Sequence, residues 1–468
     1  MKILIISFFF PPYNVIGAVR LGKTAKYLLR MGYDVRVLAA AEIPEPPTLA
    51  LEIPASRVIY TPWFDIDRPY KFVLGLWHTV RSRLRTDRVG TSGDLPASGS
   101  ASPRAADDPR RLKGRGVGGL LRLVYTDLFH WPDAALGWRR YATPAGRAMV
   151  KGWKPDVILA SGTPWTSFLV ARDLAKETGV PWVADLRDPW AGNPDSIESG
   201  LRKRLVDRYE RRVLESAACL VTVTEPLAEA LRTRYPGKPV GVVLNGFDPE
   251  DYRAEQRSAA ERDANPINAS GPQPGARAND GVLRVVYTGS MYRGDMTPLL
   301  EAVAMLGEGA QSLRLEIIGS SEQAVRDGYC RTAARLGIAD QLVWLPAVPH
   351  AQAVTTQRNA DVLFVLVQDT PYDAGIYTGK LMEYLGAGRP ILIVGTTVGV
   401  AADLVRGRGL GAAERSPERI AAQLRAWITE KHDKGTVSTS SRVAVDDFSR
   451  ENQTRRFAEI LRAATAAR

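Results

Sequence analysis

The sequence predicts an α/β protein of two doubly wound, parallel-sheet domains, and three observations carry that expectation. Short continuous apolar runs rich in β-branched residues, such as DVLFVLV at 361–367 and PILIVG at 390–395, fit strands covered on both faces. Helical patterns separate these runs, as parallel neighbours require, because a parallel pair needs a long crossover. The alternation begins at residue 2 and begins afresh at residue 283, and 468 residues are enough for two buried cores.

In the first half, residues 2–7 read as a strand, 8–17 as the loop after it, and 18–31 as a helix with Leu21, Ala25, Leu28 and Leu29 on one face, closed by Gly32. Residues 33–39 are the next strand. The unit lacks a Gly-x-Gly-x-x-Gly run, which speaks against a dinucleotide cofactor. Residues 68–150 interrupt the alternation with 15 Lys or Arg against 6 Asp or Glu. Within them, 70–84 and 120–129 are basic amphipathic helices, and 86–115, rich in Gly, Ser, Pro and Ala, read as disordered. Two readings of the helices stand side by side: contact with an anionic membrane, or packing on the first domain with the arginines solvated.

The strand at 157–160 is followed by SGTPWTS at 161–167, and the strand after it by ADLRDPW at 184–190. Polar residues directly after buried strands are where site residues collect, which singles out Thr163, Asp185, Arg187 and Asp188. The last three are equally readable as a structural ion-pair knot. A charged helix at 201–218, a strand at 220–224, a helix at 225–234 and a strand at 240–244 complete this half, and 253–280 form a polar inserted loop.

The second half opens with a strand at 283–287, the turn TGSMYRG at 288–294 and a helix at 298–306; further strands fall at 314–318 and 342–346. Between 361–367 and 390–395 lies a helix with Thr378 as N-cap and Leu381, Met382 and Leu385 as its apolar stripe, stopped by Gly386-Ala387-Gly388 and Pro390. Lys380 and Glu383, three residues apart, share its polar face near the N-terminus. There Lys380 is placed to meet phosphate and Glu383 to accept from sugar hydroxyls; the alternative is a solvated face with a weak pair.

A formal charge of +11 and a pI near 9.6 point to anionic partners, whether acidic lipid or phosphate-bearing substrates. Nucleic acid is not expected, since the basic residues sit largely in one insertion without an aromatic RNA-recognition motif. Cys219 and Cys330, far apart, make neither a disulfide framework nor a metal cluster. The apolar run 3–10 leads into Pro11-Pro12 and a helix, which suits a first strand better than a signal peptide, and no run approaches a membrane span. The expected location is the cytoplasm, with peripheral contact to the inner face of the plasma membrane.

The segment TGKLMEYLGAGRPIL at 378–392 resembles that of family 4 glycosyltransferases of the GT-B fold. In that family two Glu flank seven residues, and the second, which binds the donor ribose, corresponds to Glu383. The first falls on Gly375, with Asp373 two residues earlier as a candidate substitute. Gly17 matches the family's glycine facing the donor diphosphate. Gly289 matches its second glycine turn, where Arg293 is the one cation present. The Pro-Asp…Gly-Trp, Thr-Pro-x-Thr-Ser and Trp-Val-Ala-Asp-x-Arg-Asp-Pro-Trp runs resemble a bacterial branch, and Asn245-Gly246-Phe247-Asp248 resembles the interdomain hinge.

The resemblance implies two Rossmann-like domains facing a cleft: residues 1–244 on the acceptor side, 245–449 on the donor side, and a helix in 450–468 returning to the first domain. It implies a metal-independent, retaining transfer from a nucleoside diphosphate sugar to a glycan or lipid-linked acceptor in cell-surface polysaccharide synthesis, without a cofactor. Donor-binding residues are then Gly17, Gly289, Arg293, Lys380 and Glu383; candidate catalytic carboxylates are Asp185, Asp188 and Asp373; Thr163 and Arg187 lie on the acceptor side. The alternatives are a sugar-nucleotide epimerase on the same fold and a non-catalytic basic binding protein.

Overall fold

Seven parallel strands form the first sheet: β1 (Lys2–Ile6), β2 (Asp34–Ala40), β3 (Val58–Thr61), β4 (Val157–Gly162), β5 (Trp182–Leu186), β6 (Cys219–Thr222) and β7 (Val240–Val242). They lie in the order β3-β2-β1-β4-β5-β6-β7 in the computed structural model, which describes residues 1–68, 130–192, 200–253, 281–291, 294–438 and 442–466. Ile3–Ile6 of β1 are fully buried, as a central strand between two helical layers demands, and Ile5 pairs with Val37 on one side and Leu159 on the other. The helices are α1 (Ile16–Arg30), α2 (Arg139–Trp153), α3 (Thr166–Thr178), α4 (Gly200–Leu214) and α5 (Glu225–Arg234).

The chain divides into two compact units. The first comprises Met1–Thr222, Ala228–Val242 and Phe457–Arg468, so the end of the last helix, Arg450–Ala466, belongs with the first sheet. Phe457 there is fully buried, with the Arg20 guanidinium 5.4 Å above its ring.

The second unit, Val223–Leu227 and Val243–Arg456, holds six parallel strands: β8 (Leu283–Thr288), β9 (Leu313–Ile318), β10 (Leu342–Leu345), β11 (Val362–Leu366), β12 (Ile391–Val394) and β13 (Gly411–Glu414). Their order is β10-β9-β8-β11-β12-β13. Helices α6 (Thr297–Ala304), α7 (Gln323–Arg335), α8 (His350–Asn359), α9 (Gly379–Ala387), α10 (Val400–Gly407) and α11 (Pro417–Lys434) cover it, and the closing helix is α12. In both sheets the strand order reverses beside the first strand of the unit, between β1 and β4 and between β8 and β11. Loops at such a reversal part to opposite faces and leave a crevice at the carboxyl ends of the strands.

The structure moves several expected boundaries. Helix α1 starts at Ile16, so Gly17 sits in its first turn instead of the preceding loop. Strand β4 runs on to Gly162, and β5 includes Ala184, Asp185 and Leu186, so Asp185 is a strand residue with a neighbour on either side of the sheet. The basic helices expected at 70–84 and 120–129, the segment 86–115 between them, and all but residue 253 of the loop expected at 253–280 lie outside the described residues. Among the described residues no helix is long and apolar enough to cross a membrane.

Candidate active site

The carboxyl end of the second sheet gathers its site residues from β8, α8 and α9. Thr378 caps α9 as the sequence predicts, its hydroxyl accepting from the Leu381 amide at 3.2 Å. That cap sets the first turn of α9, and with it Lys380, over the end of β8. Gly289 there has φ +99°, a conformation that disfavours a side chain, and a Cβ on it would lie 3.1 Å from Lys380 Cε and 3.6 Å from Nζ. The ammonium and the bare glycine turn thus share one spot. Lys380 Nζ also lies 5.2 Å from the Tyr287 ring centroid. Burial lowers the Lys380 pKa below the usual lysine value, opposed by the nearby Glu383 charge.

Behind this spot runs a chain of polar contacts. The Tyr384 hydroxyl, fully buried, accepts from the Thr288 amide at 2.9 Å and so fastens α9 to the end of β8; burial pushes its pKa well above the usual phenol value. Gln357 of α8 donates through Nε2 to the Thr288 hydroxyl at 2.9 Å and to the Glu383 carboxylate at 3.1 Å. The Tyr252 hydroxyl donates to the Glu383 carbonyl at 2.6 Å. Glu383 is therefore gripped at backbone and side chain, and is half-buried.

Asp373 lies apart from this chain, in a turn where it accepts from the Thr370 hydroxyl while its own amide donates back to that oxygen at 3.1 Å. Its carboxylate shapes the loop after β11. At Gly375 a Cβ would meet only Pro226 Cβ, at 3.5 Å, so backbone geometry does not force glycine there. Arg293 lies outside the described residues.

In the first unit, the structure brings Gly17, Thr163 and Arg187 together at the β1/β4 reversal. Arg187 donates through Nε to the Gly162 carbonyl at 2.9 Å and through Nη2 to the Thr163 carbonyl, and a Cβ on Gly17 would strike its guanidinium. Gly17 is thus small because Arg187 occupies the space. Desolvation lowers the Arg187 pKa, with Asp188 and Asp185 acting in the opposite sense. The loops carrying these residues are fastened by Trp165 and Trp190, stacked 5.2 Å apart at an interplanar angle of 4°.

Asp185 has a different setting from Asp188. It is fully buried and takes Arg20 in a two-pronged pair, Nε to Oδ2 at 3.1 Å and Nη2 to Oδ1 at 2.8 Å, while Ser161 donates to Oδ2 at 2.8 Å. Both oxygens are engaged, but the cation that takes them is Arg20, outside the trio of Asp185, Arg187 and Asp188 that the sequence offers as an ion-pair knot. Asp188 is half-buried and stands beside the Arg187 charge.

Sequence reasoning passed over Gln357 and the Trp165–Trp190 stack. For Gln357 a signal existed: with Val354 it occupies the buried face of α8 at helical spacing, and an amide at a core position needs a reason.

Two family models match the chain: a glycosyl transferase 4-like domain over residues 17–246 and a glycosyl transferases group 1 domain over residues 283–430. Among solved structures it resembles sucrose-phosphate synthase from Thermosynechococcus elongatus, at 14% identity over 100% of both chains and a TM-score of 0.58. It also resembles Anabaena Alr3699/HepE in complex with UDP and glucose, at 14% identity over 99% of this chain and 100% of that one, with a TM-score of 0.56. A third is the lipopolysaccharide outer core galactosyltransferase WaaB, at 12% identity over 99% of each chain and a TM-score of 0.50. No curated protein sequence matches the chain.

Proposed function

The chain belongs to the family 4-like glycosyltransferases of the GT-B fold, and from that premise we propose that it moves a sugar, with retention, from a nucleoside diphosphate donor to a glycan or lipid-linked acceptor in cell-surface polysaccharide synthesis. The observation that supports this most is the placement of Lys380 over the Gly289 turn, with Glu383 one helical turn away. A diphosphate laid against the turn meets a cation in a partly desolvated setting and the N-terminus of α9, both of which stabilise charge on a departing phosphate. Arg293, four residues after Gly289 in the sequence, is proposed as the second cation. Those groups take the place of a metal ion, so the transfer is proposed to be metal-independent. Glu383 accepts from the ribose hydroxyls, which orients the nucleotide.

In the first unit Arg187 and Asp188 are assigned to the acceptor side and Thr163 to the loop that holds Arg187; Asp185 serves them by fixing Arg20 beneath. The basic segment 68–150 is proposed to bring the enzyme to an anionic membrane where a lipid-linked acceptor resides. A thermal-shift panel of UDP-, GDP-, ADP- and dTDP-sugars tests the donor assignment. Stabilisation by one donor, weakened in both Lys380→Ala and Glu383→Ala, is expected. Equal stabilisation of wild type and both variants refutes the site, and hydrolysis-free interconversion of the sugar nucleotide without acceptor identifies an epimerase instead.

A further inference from the structure

Gln357 is fully buried, and its side chain is arranged in an unusual way. Both contacts of its amide go through Nε2, to Thr288 Oγ1 at 2.9 Å and Glu383 Oε2 at 3.1 Å, while Oε1 has no hydrogen-bond partner among the described residues. A buried acceptor without a partner is costly, and a methionine or leucine would fill the same space without that cost. The opposite amide orientation would turn Oε1 toward the Glu383 carboxylate, two acceptors face to face. The orientation seen therefore follows from what Glu383 needs, at the expense of what Gln357 needs.

We propose that Gln357 is a positioning residue for donor recognition: its two amide N–H groups hold the Glu383 carboxylate at a set distance from the end of β8, so that one face of the site meets ribose while the Gly289 turn meets phosphate. Thr288, which takes one of these N–H groups, directly precedes Gly289, and its own amide is tied to Tyr384, the residue after Glu383. The contacts close a ring through β8, α8 and α9. This inference rests on the assignment of Glu383 to the donor ribose.

The test is calorimetric binding of UDP, GDP and ADP, each compared with its 2′-deoxy and 3′-deoxy counterpart, to wild type, Glu383→Ala, Gln357→Met and Gln357→Leu. Wild type prefers at least one ribonucleotide over a deoxy form by about tenfold or more, as expected for a hydrogen bond to a charged group, and Glu383→Ala abolishes the preference. Both Gln357 variants are expected to shrink the preference to within about threefold while binding the deoxy nucleotide as wild type does. The two replacements guard against one that fails to fold, and circular dichroism verifies each. A full preference in either folded Gln357 variant, with Glu383→Ala lacking it, overturns the role of Gln357 alone. Equal weakening toward ribo and deoxy forms overturns it as well, since that is what mere disruption of packing produces. No nucleotide binding by wild type, or a preference that survives Glu383→Ala, overturns the ribose assignment and this inference with it.

Discussion

Replacing Lys380 with methionine separates binding from folding at one position. The side chain keeps its length and apolar stem, and only the ammonium is lost. Its charge stands 3.6 Å from where a Cβ on Gly289 would be, which is the space a phosphate oxygen would take. A hydrogen bond to a charged group contributes about 1.5–3 kcal/mol, so nucleoside diphosphate affinity should fall roughly ten- to a hundredfold. Thermal stability should hold or rise, because burial already disfavours the charged lysine in the folded protein. The pH dependence has a definite sign. A lysine whose pKa is lowered on folding binds its proton less tightly in the native state, so its unfavourable contribution to stability is present at low pH and relieved as pH rises through the folded pKa. Phosphate binding runs the other way: it needs the ammonium and is lost over that same range, below where an ordinary lysine titrates. Calorimetry of diphosphate binding from pH 7 upward should show this loss in wild type, and a flat profile in Lys380→Arg, which stays charged throughout. Unchanged affinity in Lys380→Met, or a marked drop in its melting temperature, would refute the argument.

Two further outcomes concern the first unit. Asp185→Ala removes the carboxylate that takes the buried Arg20 guanidinium in a two-pronged pair, and urea denaturation should show a loss of about 3–5 kcal/mol; the paired change Arg20→Met with Asp185→Leu should recover much of it, and a loss below about 1 kcal/mol in the single variant would contradict the buried-pair account. Gly17→Ala drives a methyl group into the Arg187 guanidinium; transferase turnover should fall by at least about tenfold with melting temperature much less affected, whereas wild-type turnover would place Arg187 outside the reaction.

Local patterns determine a good deal of this protein. Continuous β-branched runs separated by helical periods can be satisfied only by strands buried on both faces, and β8, β11 and β12 lie where such runs do. Thr378 as a cap is likewise a local fact, because its hydroxyl reaches an amide only three residues on. Strand β13, GAAE, carries no apolar run and owes its pairing with β12 to the sheet beside it, so no local pattern marks it. The tertiary structure alone decided what side chains far apart in the chain do for each other. Asp185 and Arg20 are separated by 165 residues, Gln357 and Thr288 by 69, and a charge or an amide has no partner until the strand order brings it one. Gly17 shows the same division: its position in a first βα unit is legible along the chain, but what a side chain there would meet is the guanidinium of Arg187, delivered from the loop after β5. Periodicity records what each segment buries, while the electrostatic partner of a buried polar group is set by the sheet order, which no single segment contains.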